Sequence, residues 1–249
     1  MILELDLGNT CWKWRLLEEN SSRVLERGIA ESGQWLSGRF PDIWASKPSR
    51  VRIASVVGAQ VEQALSASLS GYCSPSIEFA RSSAECAGVR NGYVEPVRLG
   101  VDRWLMLLAA YREFQEPVLV VSAGSALTID VVDRAGGHCG GYIIPGPRLM
   151  AESLLRDTAG VRFTQRDSFG DLLFGLETDH CVHNGIAVAQ VGAVKLAWKR
   201  AEAMLEDSLA VVVAGGYGEG LAASLGELGI HRAYLRKELV LDGLRWALP

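Results

Sequence analysis

Residues 2–18, ILELDLGNTCWKWRLLE, bring Asp6, Gly8, Asn9, Thr10 and Lys13 into one short stretch. A carboxylate, a glycine-bearing turn, two small hydrogen-bonding side chains and an ammonium group are the parts of a phosphate site. Turn amides can point at phosphate oxygens. Gly8 permits a positive φ and a close approach of backbone to ligand. Asp6 can hold a hydrated Mg²⁺, which favours one or two carboxylates plus phosphate oxygens, and Lys13 offers a counter-charge. The same residues also suit an ordinary hairpin with an Asx-type turn, and so short a motif does not separate the two. Asp102, in Gly100-Val101-Asp102-Arg103, opens a run with Trp104, Leu107, Leu108 and Tyr111 at helical spacing. By itself an acid there caps the helix and complements its dipole.

These side chains need elements to hold them. Ile2, Leu3, Leu5 and Leu7, then Trp12, Trp14 and Leu16, predict two strands joined by a tight Gly-Asn turn. Residues 23–29 extend the hairpin to a three-stranded meander, and 34–41 read as a helical turn and loop. A strand is expected over 51–57, a helix over 61–69 and a short strand over 76–80. Residues 81–98 show no period and read as a long loop, a kind of segment that tends to be functional.

Residues 117–133, PVLVVSAGSALTIDVVD, repeat the opening. At one offset Gly8 falls on Gly124, Asn9 on Ser125, Thr10 on Ala126 and Asp6 on Ser122, so the second copy lacks the acid. A glycine-rich strand (138–144), a helix (148–155), a loop (160–175) and a long helix (178–206) follow. The strand LAVVVA (209–214) runs into Gly215-Gly216-Tyr217-Gly218 and a helix (221–228), before a short segment (232–235) and a last helix (238–246). Duplication at this period predicts two similar α/β domains, 1–115 and 116–249, and not a solenoid of short repeats. The cleft between them is the expected ligand site. Gly215 and Gly216 would let the backbone pass close to a flat base or ribose.

The 249 residues are 49% hydrophobic and 22% charged with net charge −4, which fits a soluble protein with a substantial core and shows no basic footprint for nucleic acid. No apolar run approaches the ~18–20 residues of a membrane span, and no charged-then-apolar leader is visible. A cytoplasmic location without membrane or nucleic-acid partners is expected. Cys11, Cys73, Cys86, Cys139 and Cys181 form no CxxC pair and read as free thiols. His138, His180, His183 and His231 lack metal-site spacing, with His180 and His183 expected on one helical face as surface or interface residues. The seven tryptophans are spread along the chain and read as core.

Five motifs in order carry a resemblance over nearly the whole chain: DLGNT (6–10) with Lys13, GVDR (100–103), SAGSALTID (122–130), GGYIIPG (140–146) and AGGY (214–217). They resemble the type III pantothenate kinases, within the superfamily of acetate and sugar kinases, heat-shock chaperones and actin. The resemblance implies an α/β fold of two duplicated actin-like (ribonuclease H-like) domains flanking a nucleotide cleft. It also implies ATP-dependent phosphorylation of pantothenate, the first step towards coenzyme A. By position, Asp6, Leu7, Gly8, Asn9, Thr10, Cys11, Trp12 and Lys13 would form the ATP phosphate loop, with Mg²⁺ on Asp6. Gly124, Ser125, Gly215 and Gly216 would complete the nucleotide contacts. Asp102 would be the general base for the substrate hydroxyl, with Gly100, Val101, Arg103, Tyr93 and Thr178 around pantothenate.

This chain departs from the family pattern at Ser122, where relatives carry Asp, and at Ser125, where they carry Thr. The family Asp is linked to a required monovalent cation, K⁺ or NH₄⁺, so the cation's ligand at Ser122 is in question, with Asp130 as a nearby alternative acid. The resemblance further implies a homodimer with the substrate pocket near the subunit interface, and Val182, Ile186, Ala189, Val191 and Val194 of the long helix are expected to form part of that surface. Two alternatives are a non-catalytic, nucleotide-binding transcription accessory factor and a kinase for another small hydroxyl substrate. Retention of both Asp6 and Asp102 argues against the first, and GVDR after the Tyr93 loop against the second.

Overall fold

The computed structural model describes residues 1–19, 23–40, 48–73 and 75–249. Pro41, the end of the segment expected as turn and loop, lies outside them. The chain forms two units. One comprises Met1–Ala87, Tyr93–Ala109 and Val240–Pro249, and the other Gly88–Gly92 and Ala110–Leu239.

In the first unit β1 (Ile2–Leu7), β2 (Trp12–Leu17) and β3 (Val24–Ala30) form the antiparallel meander. After α1 (Ser32–Leu36), β4 (Arg50–Ser55) pairs parallel to β1. After α2 (Ala59–Cys73), β5 (Ser76–Phe79) pairs parallel to β4, giving the order β3-β2-β1-β4-β5. Side chains alternate between the faces of a strand. Leu3, Leu5 and Leu7, opposite Leu16, Trp14 and Trp12, therefore all turn to one face, where they pack with Trp35, Leu65 and Leu69. Each such fully buried side chain contributes about 1.5–3 kcal/mol. Glu4 and Asp6, with their cross-strand partners Arg15 and Lys13, must then point to the other face.

The expected loop 81–98 contains structure of its own: β6 (Glu85–Cys86) pairs with β7 (Val89–Arg90), and Pro96–Arg98 forms a 3₁₀ turn. Ala87 (φ 49°) and Gly88 (φ 84°) make the turn between two strands too short to show a period in sequence. Next comes α3 (Val101–Phe114), and the division between the units falls within it.

The second unit repeats the pattern. β8 (Val118–Ala123), β9 (Ala126–Val132) and β10 (His138–Pro145) form a meander, followed by α4 (Pro147–Asp157) and α5 (Thr178–Leu205). β11 (Ala210–Ala214) pairs parallel to β8, α6 (Gly218–Glu227) follows, and β12 (Ala233–Leu235) pairs parallel to β11. The order β10-β9-β8-β11-β12 matches the first sheet strand for strand. Leu119, Val121, Leu127, Ile129, Val211 and Val213 pack under Val191, Val194 and Ala197 of α5 and Leu221 and Leu225 of α6. The chain closes with α7 (Leu239–Ala247).

Two expectations about α5 are corrected. Val191 and Val194 belong to this unit's own core, and Val182 and Ile186 pack with Ala151 of α4, so these four do not form an outer surface. Val188, Ala189, Leu196, Ala203 and Met204 are exposed apolar residues of that helix. His183 is buried, its Nε2 lying 2.9 Å from the Thr164 carbonyl, and it fastens the segment between α4 and α5 to the helix. His180 is exposed beside Glu177, as expected.

Among the described residues no helix is long and apolar enough to cross a membrane. None of their His, Cys, Asp and Glu side chains cluster in groups of three or more that could hold a metal, and all five cysteines are free thiols.

Candidate active site

Asp6 is the penultimate residue of β1, next to the connection formed by residues 8–11. The burial that the strand imposes pushes its carboxyl up to about 6; Lys13, directly across the ladder, pulls the other way, and the negative charge of Asp102 adds to the rise. Asp102 is thus within electrostatic reach of Asp6, and Lys13 stands with them. Asn9 and Thr10 are exposed at the turn. Leu7 and Trp12 are buried in the core, so their side chains are not available to a ligand. The Cys11 thiol donates to the Trp12 carbonyl at 3.8 Å.

Gly8 is needed for a reason other than the one expected. Its φ is not positive; a Cβ there would lie 2.9 Å from the Cys11 carbonyl oxygen, because the turn folds back on itself. Gly100 works the same way: its missing Cβ leaves room for Asp102 Oδ1, which an added methyl would meet at 2.7 Å.

Asp102 is partly buried in the first turn of α3, where the helix dipole favours a negative charge. Arg103 is buried, yet its Nη1 donates to the Tyr93 hydroxyl at 2.7 Å and its guanidinium lies 5.5 Å from that ring's centre. Tyr93 and Arg103, ten positions apart, are therefore one pair. The Ser82 hydroxyl donates to the Leu99 carbonyl at 2.7 Å and secures the entry to the helix.

In the second unit three turns meet where β8 ends. The Gly124 amide donates to the Ala126 carbonyl, closing the β8–β9 turn, and the Gly146 amide donates to the Ser125 carbonyl at 3.0 Å. The Tyr217 amide donates to the Ala123 carbonyl at 2.9 Å. Gly215, at φ 92°, presses so closely on the same carbonyl that a Cβ would lie 2.4 Å from it; its glycine is demanded by the protein's own backbone, where a base or ribose was expected. Gly216 has open space where a Cβ would stand, room that a ligand can use, whereas a Cβ on Gly124 would touch the Ala126 carbonyl oxygen at 3.8 Å, an ordinary contact. Gly146 was not among the expected site residues. A Cβ there would meet the Gly124 carbonyl at 2.2 Å, and Pro-Gly-Pro immediately after a strand was the signal for it.

Ser122 is paired in the sheet between Thr128 and Ala214. The Thr128 hydroxyl is buried and has no hydrogen-bond partner. Asp130 does not open onto a ligand site: it is buried, with Oδ1 3.0 Å from Nε2 of His138. Thr178 stands exposed as the first residue of α5, with Glu177 in the capping position.

A family model of type III pantothenate kinase matches residues 2–200. The chain belongs to the type III pantothenate kinase family. A relative of that name from Chromohalobacter salexigens is 42% identical over 197 residues, 78% of this chain and 69% of its own length. Another from Pseudomonas aeruginosa (strain PAO1) is 34% identical over 252 residues, 100% of this chain and 99% of its own. A third, from Hahella chejuensis, is 36% identical over 98% of this chain and 95% of its own. Membership in this kinase family brings ATP-dependent phosphoryl transfer with it.

Among solved structures, a Campylobacter jejuni protein assigned provisionally to the Baf family of transcriptional activators aligns with TM-score 0.62 and 20% identity, covering 98% of this chain and 95% of that one. A Sinorhizobium meliloti protein named provisionally as a 2-dehydro-3-deoxygalactonokinase aligns with TM-score 0.58 and 16% identity, over 98% and 97%. These likenesses show the fold, an actin-like α/β architecture with two similar domains.

Proposed function

We infer that this chain transfers the γ-phosphoryl group of ATP to the primary hydroxyl of pantothenate, giving 4'-phosphopantothenate at the entry to coenzyme A synthesis. The observation that carries the reading is the set Asp6, Lys13 and Asp102, gathered in one unit with the Tyr93–Arg103 pair. Phosphoryl transfer depends mostly on positioning and charge neutralisation, with one carboxylate receiving the hydroxyl proton. Asp102 takes that proton. Arg103, oriented by Tyr93, holds the carboxylate end of pantothenate. Amides and side chains of residues 7–13 bind the phosphates, and Lys13 neutralises part of their charge. Gly124, Ser125, Gly215 and Gly216 bind the nucleotide, and Thr178 contacts pantothenate.

Asp6 fits Mg²⁺. It is a hard oxygen donor, partly buried, with Lys13 opposite it on the ladder, and its ionised form, disfavoured by burial, gains from a further cation. Asp6 would hold Mg²⁺, which would supply charge neutralisation at the transferring phosphoryl group. K⁺ or NH₄⁺ is the monovalent cofactor of this reading, and Ser122 with Thr128 offers it neutral hydroxyls in place of a carboxylate.

The active form is a cytoplasmic homodimer without nucleic-acid or membrane partners. Support comes from apolar side chains beside two substrate residues: Val94 and Val97 next to Tyr93, and Leu173, Phe174 and Leu176 before Thr178, all strongly exposed in the single chain. A second copy would cover them.

ADP release from ATP and Mg²⁺, with and without pantothenate, in K⁺, NH₄⁺ or Na⁺, tests the function. Pantothenate-dependent release is expected, and its salt dependence reports whether Ser122 keeps a cation site. Binding of ATP with no turnover in any salt would overturn the kinase reading in favour of a nucleotide-binding accessory factor.

A further inference from the structure

A buried acid–imidazole pair in the second unit has no part in the phosphate or nucleotide contacts. Asp130 and His138 are both almost wholly enclosed, with Nε2 of His138 3.0 Å from Oδ1 of Asp130. A carboxylate only accepts, so the imidazole presents Nε2–H to it. His138 opens β10, directly after a turn built to be rigid. There Asp133 Oδ1 accepts from the amides of Ala135 (2.8 Å) and Gly137 (2.7 Å), and the Asp133 amide donates to the Gly137 carbonyl at 2.9 Å.

The segment Gly88–Gly92 lies against this turn at three points. The Arg90 amide donates to the Gly136 carbonyl at 2.8 Å. Gly136, at φ 79°, comes so near the Gly88 carbonyl that a Cβ on it would stand 2.0 Å away. Gly92 rests on the carbonyl of His138 itself, which an added Cβ would meet at 1.9 Å. The next residue in the chain is Tyr93, which orients Arg103.

We propose that the Asp130–His138 pair is a positioning device for the substrate: it fixes the His138 backbone on which Gly92 rests, and so fixes the starting point of the Tyr93 segment. Neither residue touches the reacting atoms. Loss of the pair is felt at the pantothenate end and not at the phosphate loop between β1 and β2, nor at the β8–β9 turn, since His138 pairs with Val132 at the opposite end of β9 from that turn.

The inference rests on the pantothenate reading for its kinetic test. His138→Ala and Gly92→Ala should each raise the KM for pantothenate about tenfold or more, since small displacements of positioning groups are costly, while the KM for ATP stays within about twofold. His138→Gln, which keeps an N–H donor near the Nε2 position, should recover most of the affinity. Gly92→Ala leaves the buried pair intact and carries the test if His138→Ala does not fold. An unchanged KM for pantothenate, or equal rises for both substrates, would overturn the proposal. Hydrogen exchange separates this from failure of the function itself. Amides 88–92 should exchange faster in His138→Ala, with β8 and β9 unchanged, whether or not wild type phosphorylates pantothenate; equal exchange in the two proteins would overturn the positioning role.

Discussion

At the scale of single residues, Asp6 sets function against stability. Its carboxyl titrates near 6 in the folded chain against an ordinary value of 3.8, chiefly because β1 buries it. The folded state therefore holds a proton between about pH 4 and pH 6 that the unfolded state releases. The associated stability is present below about 4 and is lost as pH rises through about 6. Without metal or nucleotide, Asp6→Asn should be more stable than wild type at pH 7.5, by up to about 3 kcal/mol. That advantage should vanish near pH 4, and Mg·ATP use should be badly damaged. Thermal melts across that pH range check it; a variant less stable than wild type at pH 7.5 would contradict the burial argument. Sequence supplied Asp6 through its place between an alternating strand and a glycine turn. It could not supply the reason for Gly8, because a contact between Gly8 and Cys11 across the turn is not encoded in the type of either residue.

At the scale of elements, the face of the first sheet that carries Asp6 is held by ions. Glu4 is completely buried, with Arg15 Nε at 2.7 Å and Arg52 Nη1 at 3.3 Å, and Arg15 Nη1 reaches Asp242 of α7 at 2.6 Å. Gly243 of α7 in turn sits against the Leu105 carbonyl of α3, where a Cβ would be 2.2 Å away. The last helix therefore tethers both β2, which pairs with the strand of Asp6, and the helix of Asp102. Removing one partner of a buried pair leaves an uncompensated charge, so Arg15→Ala should cost roughly 3–5 kcal/mol. A shift in the urea midpoint at unchanged slope would measure it, and a loss below about 1 kcal/mol, typical of an exposed pair, would show that the cluster is solvated. Glu4 and Arg15 read in sequence only as the polar positions of two alternating strands; beyond their bond to each other, their further partners lie 48 and 227 positions away and no local pattern announces them. For α5 the long helix itself was legible, but its hydrophobic residues run all round, so the face turned to the core was not.

At the scale of the whole molecule, the duplication was the most legible feature. Two alternating strands about a glycine turn, repeated at a fixed offset, correspond to two sheets of identical strand order. Exposed Phe174 and Leu176 belong to this scale too, since in the proposed homodimer a second copy would cover them. Phe174→Asp should shift the protein towards monomer in sedimentation velocity and lower turnover at low enzyme concentration. A wild type that sediments as a monomer at micromolar concentration would contradict the dimer.

The proposed division of labour between Asp6 and Asp102 is tested most directly by Asp102→Asn, with Mg·ATP affinity and pantothenate-dependent turnover measured on the same preparation. Nucleotide affinity should stay near wild type while turnover falls by ~10²–10⁴, the range for loss of a positioned base. A variant that keeps most of its turnover would remove Asp102 from the chemistry and leave it as the cap of α3.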